Sequence, residues 1–276
     1  MSEDNVETVV LSAPRLLSQR PRKASWSLLT RILLPIILLV GWILLAKSTL
    51  IPPLTLPTPL QVGSELKGMY LHQHLMFNIG VSMLRAIVGL AFGAGVGFLL
   101  GLFSGLSKIG EEFLDATLQM IRAVPFIALT PLFILWFGVG ETPKILIVAF
   151  ATYFPMYIAT ASAVRNVDRK VVEAAKTFGL HGPRLVKEVI VPLATPQILT
   201  GLSLSMVFSV LALVAGEQIS SQNGLGFLFA QSQAYGRNFE VFTCILLYAC
   251  MGLVAATFVN ILQRFLLRWR NGVAVR

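Results

Sequence analysis

Residues Glu173-Ala-Ala-Lys-Thr-Phe-Gly179, followed by Val189-Ile-Val-Pro192, form a polar, basic island between two strongly apolar segments. A membrane span does not carry charges at that density. A plain connecting loop has no need of a short helix stopped by a glycine. The carboxylate of Glu173, the small side chains of Ala174 and Ala175, the basic residues beside them and the helix-ending Gly179 make a compact docking surface. The island therefore predicts a membrane protein that meets a soluble partner on its cytoplasmic side.

The composition agrees. The chain has 276 residues, 55% hydrophobic and 13% charged, whereas soluble domains carry about a quarter charged residues. Such a chain belongs in lipid, with no soluble domain of ordinary size inside it. The formal net charge of +9 is explained by basic residues flanking spans on the cytoplasmic side. Nucleic-acid binding is not expected, because no basic helix or aromatic-basic platform is present. Cys244 and Cys250 lie six residues apart in an apolar run. On one helix they point in different directions and read as small packing residues, not a disulfide or metal pair. His72, His74 and His181 have no partner at ligand spacing.

Residues 1–27 read as a polar cytoplasmic tail with clustered Arg15, Arg20, Arg22 and Lys23, and lack the short apolar core of a cleaved signal. Six apolar stretches follow, at about 28–46, 80–104, 118–138, 144–164, 196–216 and 240–265. Each is near the roughly 20 residues that cross the hydrocarbon. The expected organisation is a transmembrane domain over 28–268, interrupted by a cytoplasmic loop at about 165–195, and a C-terminal tail over 269–276. A short turn around Gly138–Pro143 separates the third and fourth spans. The segment Gln222–Tyr235 reads as a partial or interfacial helix on the outer side. With a cytoplasmic N-terminus, the inner side collects most Lys and Arg, among them Arg165, Arg169, Lys170, Lys176, Arg184 and Lys187. The outer side receives Lys47, Lys67, Lys144 and Arg237, with Arg85 and Arg122 near span ends. This asymmetry predicts a multi-pass protein of the cell (inner) membrane with both termini in the cytoplasm.

Within the second span, Gly89, Gly93, Gly97, Gly101 and Gly105 repeat every four residues. Such a stripe lets a second helix approach along one side, either as static packing or as a track for a moving element. Pro125 and Pro131 in the third span and Pro155 in the fourth each remove a backbone donor and are expected to bend their helices. Arg122 is placed to reach headgroup phosphate or water. Glu217, at the outer end of the fifth span, is a pathway candidate, with hydration at the helix end as the plainer alternative. No lysine follows a glycine, so no phosphate-binding loop is present; any nucleotide hydrolysis belongs to another polypeptide. No nucleophile elbow or paired histidine motif suggests an enzyme.

The spacing Glu173-Ala-Ala, Gly179 and Val189-Ile-Val-Pro192 resembles the cytoplasmic loop signature of permease subunits of bacterial ATP-binding-cassette importers, with Val189 and Val191 in place of the usual aliphatics. Arg122-Ala-Val-Pro125, Pro131–Gly138 and Arg165-Asn-Val-Asp168 look like the nitrate, taurine and aliphatic sulfonate branch. Three positions depart from that branch, one of them Gly216, where an alanine usually precedes the span-ending glutamate. Ser203 stands where an arginine is frequent, and Val210 stands near a usual tryptophan. These departures keep a neutral or heterocyclic solute, such as a pyrimidine precursor, open beside a sulfonate, taurine or nitrate.

The resemblance implies an all-α membrane protein with six transmembrane helices and the type I ABC importer permease fold. It implies a homodimeric pathway in membrane lipid, two ATPase subunits that use ATP and Mg, and an extracytoplasmic solute-binding protein. The permease itself carries no cofactor. It also implies coupling residues Glu173, Ala174, Ala175, Phe178, Gly179 and Pro192, with Arg122, Pro125, Ser203 and Glu217 as pathway candidates. The loop helix would span about 169–180, with Val171, Val172, Ala175 and Phe178 as its apolar side. A stand-alone secondary transporter or channel would need ionisable residues near the bilayer midplane, and a structural scaffold would not need the loop signature.

Overall fold

The computed structural model describes residues 24–48 and 55–267. The tail expected over 269–276 and most of that over 1–27 lie outside the described residues; residues 24–27 are helical. The chain divides into two units, the first ending at Ile51 and the second beginning at Pro52. The first holds α1, Ala24–Lys47, which keeps its helix through Pro35.

The second unit is built from helices alone among the described residues. It opens with α2, Pro59–His72, whose start is written in the sequence. Thr58 caps the Gln61 amide, the Gln61 side chain returns to the Thr58 amide, and Pro59 occupies the first turn, where its missing N–H is no loss. The helix α3, Leu75–Leu106, is almost continuously apolar. Ser107 then caps α4, Lys108–Arg122, by accepting from the Gly110 amide.

At Ala123–Pro125 the chain breaks. Pro125 has no N–H to donate and pushes Val124 out of helical conformation, and a short 3-10 turn, Phe126–Leu129, leads into α5, Thr130–Phe137. The two halves of this pair meet at 79°. The helix α6, Glu141–Arg165, returns across the bundle and carries Pro155 without interruption. A short α7, Arg169–Thr177, is followed by α8, Gly182–Leu185, a π turn over Val186–Ile190, and α9, Val191–Ser220. Last come α10, Leu225–Ala234, and α11, Asn238–Leu266.

Among the described residues, four stretches are long and apolar enough to cross a membrane, in α3, α6, the run Gly182–Ile219 and α11; a fifth arises if the bent pair counts as one span. The shorter Leu33–Lys47 stretch lies in α1. The third expected span is therefore corrected. It is not one helix over 118–138, because α4 is amphipathic, carries Lys108, Glu111, Glu112, Asp115 and Arg122, and ends before Pro125. The bend expected at Pro125 is met, as the 79° break between α4 and the segment Phe126–Phe137. Pro131 lies in the first turn of α5, where it interrupts no helix, and Pro155 lies inside a continuous α6. Helix also begins at Gly182, well inside the stretch read as a loop to 195.

The helix α6 lies between α3 and α9 and makes its most extensive contacts with them. Its contact with α3 is a backbone seam. A Cβ at Gly93 would lie 2.2 Å from the Ala149 carbonyl oxygen, one at Gly97 2.2 Å from that of Tyr153, and one at Gly101 2.6 Å from that of Tyr157. Gly89 and Gly105 face Val148 and Val164, whereas Gly95, off the stripe, faces nothing within 4 Å. In lipid, helices gain little from apolar burial against each other, so close van der Waals fit of this kind carries the association. Carbonyl oxygens this near glycine Cα–H groups add weak polar attraction. On its other face α6 meets Gly201 of α9, where a Cβ would lie 2.2 Å from the Ala159 side chain. One apolar core surrounds Ile147, Val148, Leu213, Leu225 and Tyr248; a second surrounds Met156, Val164, Leu185, Ala194 and Ile198 near α7.

Candidate functional site

The helix α7 begins at Asp168, whose carboxylate accepts from the Lys170 amide at 2.9 Å. It ends in paired turns: Leu180 N–H donates to the Ala175 carbonyl and Gly179 N–H to that of Lys176. Gly179 has φ +87, a left-handed conformation that a side chain disfavours. The apolar residues of α7 divide between two faces. Val172 and Ala175 pack inward on the core with Leu185 and Ile190. Val171 and Phe178 point out, Phe178 with 87% of its surface exposed. The single apolar side expected from 171, 172, 175 and 178 is corrected accordingly: two of these residues bind the helix to its own chain. Glu173, Ala174 and Lys176 share the exposed surface, and Pro192 is exposed in the first turn of α9.

Separated from α7 by three residues, the last residue of α6 enters a polar cluster. The Arg165 guanidinium donates to both oxygens of Asp115 on α4, at 2.8 and 3.1 Å, and to Ser104 Oγ on α3 at 2.5 Å. Glu111, one turn earlier on α4, lies 3.3 Å from the same guanidinium. The Tyr157 hydroxyl donates to Asp115 and lies 3.1 Å from Ser104 Oγ. The side chains of Arg165 and Asp115 keep 30% and 27% of their surface exposed.

A second cluster closes the other end of the same helix pair, beside α10. Here Glu217 is 1% exposed. Arg85 Nη1 donates to it at 2.6 Å, the Gly226 amide at 2.9 Å and the Tyr248 hydroxyl at 3.3 Å, and Ser82 Oγ lies 2.7 and 2.8 Å from its two oxygens. Arg85 also holds Glu141 through Nε and Nη2 and donates to the Asn223 carbonyl, while Lys144 pairs with Glu141 at 3.2 Å. Two cations thus balance two anions. The loop before α10 is tied in by the Gly224 amide, which donates to Asn78 Oδ1, and the Leu225 amide, which donates to Ser82 Oγ. Gly224 has φ +112, and a Cβ there would lie 2.5 Å from Glu217 Oε1, so both backbone and space require glycine.

The pathway candidates do not converge. Glu217 is buried among its hydrogen-bond donors and does not lie at the surface of the chain. Arg122 is exposed at the end of α4 with its guanidinium 5.2 Å from the centre of the Phe154 ring, a cation–π contact. Pro125 is exposed at the bend, and Ser203 is half-buried on α9. Around Arg122 runs an aromatic row: Phe150 meets Tyr153, Tyr153 meets Phe154, and Phe133 of α5 stacks on Phe137 and packs edge-on to Phe150. Sequence reading missed Asp115, Tyr157 and Ser104 and left Arg85 unassigned. A signal existed for one group: Asn78, Ser82 and Arg85 stand at i, i+4 and i+7, one face of an otherwise apolar helix.

This arrangement defines a multi-pass helical membrane protein that presents a short, capped helix outside its bundle. Residues 93–271 match the family described as binding-protein-dependent transport system inner membrane component. The chain is 36% identical over 253 residues to a putative aliphatic sulfonates transport permease protein, SsuC, of Bacillus subtilis, covering 92% of each chain. It is 32% identical over 270 residues to the taurine transport system permease protein TauC of Escherichia coli, covering 93% of this chain and 97% of that one. The structure resembles that of an amino acid ABC transporter with histidines, with a TM-score of 0.56 at 15% identity, covering 72% of this chain and 97% of that chain. The chain belongs to the binding-protein-dependent transport system inner membrane component family. It is a permease subunit of an ABC importer, with the type I importer permease fold.

Proposed function

We propose that this chain imports an aliphatic sulfonate or taurine, and that it does so as a homodimer in the inner membrane with both termini in the cytoplasm. Two partner ATPases hydrolyse ATP with Mg, and an extracytoplasmic binding protein delivers the solute. The solute class rests on the similarity to SsuC and TauC along nearly the whole of each chain.

The observation that carries the coupling assignment is α7 itself. Its exposed face puts Phe178 and Val171 beside Glu173 and Ala174, on a helix fixed from behind by Val172 and Ala175. An aromatic residue exposed to that extent at the end of a short, rigidly capped helix suits insertion into a groove of an ATPase. Closure of the ATPase dimer on ATP would draw the two α7 helices together and turn the pathway from inward- to outward-facing. Arg122, Pro125 and Ser203 are the pathway residues of this reading. Glu217 serves it from the buried cluster that fixes α10, not from the pathway wall.

The complex of this chain with its ATPase, reconstituted in liposomes, tests the reading. ATP hydrolysis should rise when a binding protein loaded with a sulfonate or taurine is added. Joint replacement Glu173→Ala with Gly179→Val should abolish uptake and ATPase docking while membrane insertion continues. Normal uptake by that variant overturns the coupling assignment, and solute flux by the chain alone overturns the importer mechanism.

A further inference from the structure

We infer that Asp115 is a positioning residue for transport: it is the joint through which movement of α7 reaches the bent pair formed by α4 and α5. The inference rests on the coupling role proposed for α7.

The connection between α6 and α7 is short, Asn166–Asp168, and the residue before it is Arg165. A displacement of α7 therefore reaches Arg165 through this short link, as it reaches Leu185 and Ile190 through packing. That side chain does not end in solvent. Its guanidinium grips both oxygens of Asp115, and a two-point charged contact of this kind transmits direction as well as force. Tyr157 and Ser104 also bond the Asp115 carboxylate, which restrains it as Arg165 moves. Beyond Asp115, α4 runs two turns to Arg122 and then bends by 79° into the segment Phe126–Phe137. Phe126, at the start of that segment, packs edge-on against Phe208 of α9, with ring centres 6.4 Å apart. The contacts form one chain: α7, Arg165, Asp115, the bend at Pro125, and α9.

The cluster is also built to be remade. Arg165 and Asp115 are partly exposed, so water can take over their hydrogen bonds during a change. Glu111, one turn from Asp115 on the same face of α4, already lies within reach of Arg165. The guanidinium therefore has a second anchor to move to without becoming unpaired.

The test is the number of ATP molecules hydrolysed per solute imported by the reconstituted complex of permease, ATPase and binding protein. Asp115→Asn keeps the shape and removes the charge. It should co-purify with the ATPase and keep basal hydrolysis, yet raise the ATP consumed per solute by about tenfold, within the range that coupling-network substitutions produce. The exchange Asp115→Arg with Arg165→Asp restores an ion pair in reverse and should recover most of the lost coupling. An unchanged ratio in Asp115→Asn overturns the inference, as does an exchange variant no better than Asp115→Arg alone. A wild-type complex that loaded binding protein fails to stimulate overturns the importer reading and the inference with it. A stimulated wild type beside an equally coupled Asp115→Asn overturns the inference alone.

Discussion

The same two helices, α3 and α6, are pinned at both ends by polar clusters built on ion pairs, and the two ends follow opposite rules. At the α10 end, Arg85 and Glu217 are sealed from solvent, the Glu217 carboxylate is surrounded by donors, and charges of both signs cancel. At the α7 end, Arg165, Asp115 and Glu111 remain partly wet, and two carboxylates share one guanidinium. A buried pair that loses one partner leaves an uncompensated charge, so it is held in one arrangement. An exposed pair can exchange its partner for water at little cost. The α10 end is a fixed brace and the α7 end is a joint, and they are joined by a glycine seam too tight to slide without separating.

The largest effect should come from breaking the brace. Glu217→Ala, leaving Arg85 buried without its central partner, should cost about 3–5 kcal/mol, read as a large loss of thermal stability of the protein in detergent. Arg85→Ala should act similarly, and the double replacement should be less damaging than the two single losses added together. Additive losses would mean that the two groups are not acting as a pair.

Next comes the seam. Gly93→Ala places a methyl group against the Ala149 backbone oxygen, and overpacking of this kind costs about 1–3 kcal/mol. Gly95→Ala, which meets nothing within 4 Å, is the matched control and should be neutral or slightly stabilising through better helix propensity. Equal thermal shifts in the two variants would dissolve the distinction between seam and free surface. The smallest stability effect belongs to the joint: Asp115→Asn should cost only about 0.5–1 kcal/mol, however large its effect on coupling. A loss as great as that of Glu217→Ala would show that the two ends are alike after all.

Much of this was legible from residue spacing. Glu173, Gly179 and the Val189–Pro192 run stand close together in the chain, and a helix stop at a glycine is a local event; the structure has α7 ending just before Gly179 with φ +87. The four-residue glycine repeat was equally visible, though spacing alone could not name α6 as its neighbour. What stayed hidden depends on distance through space. Arg85 and Glu217 are 132 positions apart, and Arg165 and Asp115 are 50 apart. Neither pair carries a local mark. The break at Ala123–Pro125 escaped for a different reason. A hydropathy window over 118–138 averages across the proline, whereas the strong amphipathy of α4 begins earlier, at Lys108. The inward turn of Val172 and Ala175 was hidden as well, because on so short a helix periodicity does not say which apolar residues face the protein's own core.

The glycine seam has one more consequence, for how freely this protein can be rewritten. At Gly93, Gly97 and Gly101 the nearest atoms of α6 include the backbone oxygens of Ala149, Tyr153 and Tyr157. Every residue type supplies such an oxygen. That part of the contact is thus encoded in α3 alone, while the side chains of Val148, Thr152, Met156, Thr160 and Val164 supply the rest from α6. A designer or a drifting lineage can alter positions 149 and 153 to suit their other neighbours without touching the seam, while the glycines opposite admit no such freedom.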